Sequence, residues 1–235
     1  MRIERLPRRR WDNDPGLAKL TKDLTAVLKT PGGTQELRPV QAAALKDIYE
    51  VNGLLGVLAC GAGKTLLAHI APFLLEAQRP VLFVPASLRD KALLKDIPTL
   101  RRHWKMHPNL AVIGYEELSL AKNYDLLETL RPDLIVADEV SHLRNLKAGR
   151  TRRVARYMKA NPATKFIALS GTMTKRSLKD YAHLSQFALK VDYSPLPTTW
   201  RELESWADAL DEKPDRDVGR IVPVGALQCF CGERF

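Results

Sequence analysis

Gly61-Ala62-Gly63-Lys64-Thr65 and Asp138-Glu139 are the residues of this chain best suited to chemistry, with Asp138 lying 74 positions beyond Lys64. A glycine-bracketed turn ending in Lys-Thr lets successive backbone N–H groups face a phosphate chain, and a following helix adds its positive N-terminal end. In such a turn Lys64 reaches the β and γ phosphates and Thr65 ligates Mg²⁺. The apolar run Leu134-Ile135-Val136-Ala137 entering Asp138-Glu139 describes a buried strand with two carboxylates at its end. Asp138 is placed to hold the magnesium shell and Glu139 to stand beside an attacking water. The two features together predict a site for ATP and Mg²⁺.

These groups need elements to carry them. Leu54–Ala59 is an apolar run of strand length entering the glycine turn, and residues 64–78 are helical in pattern. Val81–Val84, Ala111–Ile113, Leu134–Ala137 and Lys165–Leu169 read as four more buried strands. Pro39 suits a first helical position, and Val40, Ala44 and Ile48 share one face of the helix it opens. Ser87-x-x-Asp90 and Thr199-x-x-Glu202 read as capping boxes, the second opening a helix with Trp200, Leu203, Trp206, Ala207 and Leu210 on a stripe. Strands alternating with helices predict an α/β fold, a parallel sheet with helices on both faces, and a ligand at the carboxyl ends of the strands. Residues 1–35 read as a basic arm, 36–190 as the nucleotide-binding lobe, and 191–235 as a helical tail. The apolar Gly219–Phe235 segment has no obvious stopping element and reads as a chain cut short.

The 235 residues suffice for one sizeable core with appendages. No apolar stretch approaches the length of a membrane span, and the basic Met1–Arg10 start lacks the apolar core of a secretion signal. Three cysteines, Cys60, Cys229 and Cys231, suit a reducing, cytoplasmic setting. Cys229 and Cys231 make half a metal knuckle, and no second pair completes it. The formal net charge is +10, of which residues 196–235 contribute −3 (5 basic, 8 acidic) and residues 1–195 therefore +13. That surplus favours a polyanionic partner, most simply nucleic acid. Arg144, Lys147, Arg150, Arg152, Arg153, Arg156 and Lys159 form a run without acids, open to two compatible readings. It is either the solvated side of a helix burying Val154, Tyr157 and Met158, or a phosphate-tracking patch.

In order and spacing, these motifs resemble the first motor lobe of superfamily 2 helicases and translocases, nearest to the Swi/Snf and DEAD/DEAH-box-like types, over roughly residues 36–190. Leu37-Arg38-Pro39-Val40-Gln41 looks like the family's adenine-reading element, which implies contacts from Arg38 and Gln41. Ala59–Thr65 resembles its phosphate loop, with Leu58 standing where the general pattern has its first glycine. Val84-Pro85-Ala86-Ser87-Leu88 and Gly114-Tyr115-Glu116-Glu117-Leu118 are similar to motifs that meet nucleic acid, which implies contacts from Pro85, Ala86, Ser87 and Tyr115. Asp138-Glu139-Val140-Ser141 resembles the acidic box, and Ser170-Gly171-Thr172, starting 32 residues after Asp138, resembles the motif coupling hydrolysis to lobe movement. Ser141 departs from the usual fourth box residue, with His142 one place later.

The resemblance implies a P-loop (RecA-like) single motor lobe that binds Mg·ATP and acts on nucleic acid, DNA rather than RNA. Catalysis would fall to Glu139, Lys64 and Asp138, with weak turnover unless a second lobe or subunit supplies an arginine finger, worth about 10³–10⁵ in rate. The alternative is a non-motor ATP-binding module acting through a partner. A small-substrate phosphotransferase is a third reading, which leaves Ser170-Gly171-Thr172 and the basic surplus without a purpose.

Overall fold

A computed structural model describes residues 15–171 and 177–211. Arg8–Arg10, Thr172, the Cys229/Cys231 pair and the Gly219–Phe235 segment lie outside the described residues. The elements in chain order are α1 (Pro15–Leu28), α2 (Pro39–Val51), β1 (Gly53–Val57), α3 (Lys64–Leu74), β2 (Pro80–Val84), α4 (Ala86–Lys91), α5 (Ile97–Arg101), β3 (Ala111–Gly114), α6 (Leu126–Leu130), β4 (Leu134–Asp138), α7 (Gly149–Ala160), β5 (Lys165–Ser170), α8 (Ala182–Tyr193) and α9 (Trp200–Leu210). A π-helical turn, Ala92–Asp96, joins α4 to α5.

The five strands form one sheet in the order β1-β5-β4-β2-β3, every pairing parallel. Alternate side chains divide between two cores. Val81, Phe83, Ile135, Ala137, Phe166 and Ala168 enter one, and Leu82, Val84, Leu134, Val136, Ile167 and Leu169 enter the other. Burial on both faces is why these strands read as continuous apolar runs rather than as alternating ones.

Crossover handedness then decides which helix covers which face. From β1 the chain steps outward to β2 and β3, and the intervening α3 and α4–α5 segments pack on one face through Leu67, Ile70, Ala92 and Leu100. From β3 it steps back to β4 and β5, so the same right-handed rule moves the connections to the other face. There Leu118, Leu127, Val154 and Met158 are buried. The loops leaving β1 and β5 consequently diverge to opposite faces, and so do those leaving β4 and β2. Both gaps are switch points at the carboxyl edge, where open α/β sheets bind ligands.

Three expectations need correction. Residues 15–35 are part of the domain: Leu28 is fully buried against the α2–α3 core, Thr25 Oγ1 accepts from Leu37 N at 3.1 Å, and Lys105 N donates to Leu28 O at 2.7 Å. The amphipathic spacing of Leu17, Leu24 and Leu28 carried that information, but the charged start masked it. Ser87 caps nothing. Helix α4 starts at Ala86 with Pro85 at its N-cap position and no side-chain capping bond. By contrast Thr199 does cap α9, its Oγ1 accepting from Glu202 N at 3.4 Å and donating to Glu202 Oε2 at 2.7 Å. On that helix Leu203 and Ala207 are buried, whereas Trp200 and Trp206 are 57% and 41% exposed, so the packed stripe is narrower than the spacing predicts.

Candidate functional site

Register brings the predicted residues to one edge. Val57 pairs with Ser170 across β1 and β5, and Asp138 pairs with Leu169 across β4 and β5. The chain thus leaves β1 at Leu58, β5 at Ser170-Gly171 and β4 at Glu139 on nearly one level. The outer two of these strands are about 10 Å apart at ordinary strand spacing.

The turn after β1 needs its glycines. Gly61 and Gly63 have φ of 81° and 91°, conformations that cost an L side chain about 1 kcal/mol or more. A Cβ at Gly63 would also collide with Gln41 Nε2 and sit 2.8 Å from Arg38 Nη2. Above Gly61 there is open space, room for a ligand rather than a side chain. Lys64 opens α3 and its ammonium donates to Leu58 O at 2.9 Å and Ala59 O at 3.3 Å. A Cβ on Gly171 would lie 3.4 Å from Lys64 Nζ and 3.6 Å from Cys60 Sγ, so the β5 end abuts the β1 turn directly.

Arg38 and Gln41 brace the turn from α2. Arg38 Nη2 donates to Gly61 O at 2.6 Å, and Gln41 Nε2 donates to Ala62 O at 3.2 Å. Gln41 Oε1 accepts from Arg38 N at 2.8 Å, and the side chain is buried. Both ends of this amide therefore hold backbone. Reading an adenine edge would require exchanging those bonds.

The acidic pair is tightly placed. Asp138 Oδ1 accepts from Glu139 N at 3.1 Å. Burial is the main reason the Asp138 carboxyl sits above its ordinary range, with the Glu139 charge adding to the rise, while the Glu139 N–H and the Lys64 cation oppose it. Glu139 has left-handed backbone (φ 55°), which turns its side chain back over β5. There Ser170 Oγ donates to Glu139 Oε1 at 2.9 Å and Ser141 Oγ donates to the same oxygen at 3.0 Å. Ser141 was visible in sequence only as a departure. The structure makes it one of two hydroxyls fixing the carboxylate, and the link between the acidic box and Ser170 runs through Glu139 itself. His142 takes no part in that link and stacks on Tyr115 at 4.9 Å between centroids.

Tyr115 corrects a sequence expectation. It is fully buried and its hydroxyl donates to Asp138 O at 2.9 Å, so it supports the acidic loop and does not present itself to nucleic acid. Burial beside Asp138 and Glu139 pushes its hydroxyl pKa well up. Pro85 is half-buried while Ala86 and Ser87 are exposed at the carboxyl end of β2; Ala86 N donates to Glu116 Oε2 at 2.9 Å. The neighbouring Glu117, not singled out by sequence, ties the β3 end to α4 through Gly114 N and Arg89.

The donor set suits a hard cation held partly by phosphate oxygens. Among the described residues no cluster of three or more His, Cys, Asp or Glu could hold a metal by itself. Magnesium ordinarily takes one or two carboxylates plus phosphates and water, and Asp138, at the end of β4, would be the carboxylate of such a set, with the Thr65 hydroxyl at the start of α3 as the second protein oxygen the sequence suggests. The desolvated Asp138 beside Glu139 is also a place where added positive charge is favoured. No helix among the described residues is long and apolar enough to cross a membrane. No protein-family model matches the chain, and no curated protein matches it in sequence.

Proposed function

We propose that this chain binds Mg·ATP at the carboxyl edge of β1, β5 and β4 and hydrolyses it as the RecA-like motor lobe of a nucleic-acid helicase or translocase, acting on DNA rather than RNA. One observation carries the reading: Lys64, Asp138, Glu139 and Ser170 meet at a single sheet edge, with Glu139 held by Ser170 and Ser141. A sheet with only structural acids has no use for a strained, doubly braced glutamate beside a glycine turn.

In this reading the amides of Gly61–Thr65 and the Lys64 ammonium bind the phosphates. Lys64 then trades its two loop carbonyls for phosphate oxygens. Thr65 and Asp138 would hold the magnesium ion, which neutralises charge on the β and γ phosphates. Glu139 has one oxygen committed to two hydroxyls, leaving the other to orient and accept a proton from the water that attacks the γ phosphorus in line. Ser170 reports the state of Glu139 to the segment after β5. In the motor lobes this chain resembles, the arginine finger comes from a second lobe, so turnover by the lobe alone is slow until that lobe or a subunit closes over the site.

The test is nucleotide binding and turnover in three proteins. Wild type should be stabilised thermally by Mg·ATP and release phosphate slowly. Glu139→Gln should keep the stabilisation and lose turnover by at least about 100-fold, the scale of general base catalysis. Lys64→Ala should lose both. A melting temperature unmoved by Mg·ATP would remove the nucleotide site altogether. Binding with no turnover in wild type would favour a module that uses ATP only as a conformational ligand.

A further inference from the structure

From Val140 to Lys179 the chain holds eleven lysines and arginines and no aspartate or glutamate. The structure divides those from Arg144 to Lys159 by role. Arg150 Nε donates to His142 O at 2.7 Å. Arg153 Nη1 donates to Leu118 O, Leu120 O and Asn123 O at 2.6–3.1 Å. Arg156 pairs with Glu128 at 2.7 Å and donates to Tyr124 O. Arg153 and Arg156 staple α7 to the segment between β3 and β4, and Arg150 ties it to the loop after β4. Arg144, Lys147, Arg152 and Lys159 remain exposed, and among the described residues none has an acid within ion-pair distance.

At its N-terminal end this arrangement works against the helix, whereas Lys159 in the last turn complements the dipole. Helix α7 begins Gly149-Arg150-Thr151-Arg152-Arg153 with no acid in its first turn. Cations at a helix N-terminus oppose the macrodipole, each by about 0.3–1 kcal/mol. Like charges four apart, as at Arg152 and Arg156, add a few tenths more. A face serving only solubility would interleave acids at no loss. Arg152 and Lys159, seven residues apart and so on one face, are separated by about 10 Å along the axis, and Arg144 and Lys147 lie in the chain between Glu139 and the start of α7.

We infer that Arg144, Lys147, Arg152 and Lys159 form a phosphate-tracking surface that holds the backbone of a DNA duplex along α7, apart from the strand-end loop Pro85–Ser87. The inference rests on the nucleic-acid half of the proposed function and not on its nucleotide half. Contacts to phosphates position a protein without reading sequence, so binding here is tolerant of sequence and sensitive to salt.

Fluorescence anisotropy of a short labelled duplex tests it, read across a salt series. The variant with Arg144, Lys147, Arg152 and Lys159 all changed to Ala should bind at least about tenfold more weakly, with the log–log salt slope flattened by about 0.9 for each phosphate no longer neutralised. A control changing Lys19, Lys22, Arg101 and Arg102 to Ala removes the same charge from other exposed positions and should retain wild-type slope. Melting curves establish that each variant is folded. Equal weakening in both variants would mean that net charge, not this face, binds DNA, and would overturn the inference. So would unchanged binding by the α7 variant, with the proposed function left standing. A wild-type protein that binds no duplex would overturn this surface, leaving single-strand binding and Mg·ATP binding as separate questions.

Discussion

At the level of single residues, Asp138 costs the fold stability and Ser141 braces its neighbour Glu139. The folded-state pKa of Asp138 is raised above its ordinary value of 3.8, chiefly by burial. Between the ordinary and the raised value the folded state holds more protons than the unfolded one, so stability falls as pH rises through that window. At neutral pH the ionised Asp138 is therefore a cost. Asp138→Asn should melt higher than wild type at neutral pH without nucleotide, the gain vanishing as pH falls below the ordinary carboxylate range, and should lose the Mg-dependent part of ATP stabilisation. Thermal melts over a pH series would show no pH-dependent difference between Asp138→Asn and wild type if Asp138 were an ordinary surface acid, and the opposite sign if a partner held its carboxyl below the ordinary range. Ser141→Ala removes one of two donors to Glu139 Oε1, a bond to a charged group that is worth about 1.5–3 kcal/mol. Turnover should fall about tenfold or more with KM nearly unchanged, and Ser141→Thr should restore much of it. A KM effect alone would place Ser141 outside the hydrolytic step.

Between elements, the glycine turn depends on α2 as much as on its own residues. Its carbonyls at Gly61 and Ala62 are held by Arg38 and Gln41, and the space over Gly63 is filled by the same two side chains. Gly63→Ala therefore meets two penalties together, a left-handed backbone and a collision with Gln41. It should weaken nucleotide binding by more than tenfold and lower the melting temperature, whereas Cys60→Ala, at an exposed position, should leave stability nearly unchanged. Isothermal titration beside thermal melts separates the two effects. The glycines were legible in sequence because a left-handed turn between a strand and a helix demands them. The bracing was not, since the α2 residues lie more than twenty positions upstream and nothing local states that α2 begins against the turn.

At the scale of the molecule, residues 15–35 close one side of the fold. Removing residues 1–33 strips α1 from α2 and uncovers the core beside Leu28. Loss of a single buried leucine costs about 2–5 kcal/mol, a large share of the 5–15 kcal/mol typical of a domain. The truncated chain should unfold at markedly lower denaturant, and an unshifted midpoint would restore the reading of that region as a separate arm. Sequence alone determined the five strands, their burial on both faces, the helices after the glycine turn and before β5, and the residues at the strands' carboxyl ends, because apolar periodicity and glycine or proline punctuation are local properties. Only the tertiary structure decided that Tyr115 supports Asp138 from within, that Gln41 and Arg38 hold the turn, that Ser141 and Ser170 share one oxygen of Glu139, and which cations of α7 are stapled or left facing water. Those facts follow from strand order and crossover hand, which bring together residues far apart in the chain.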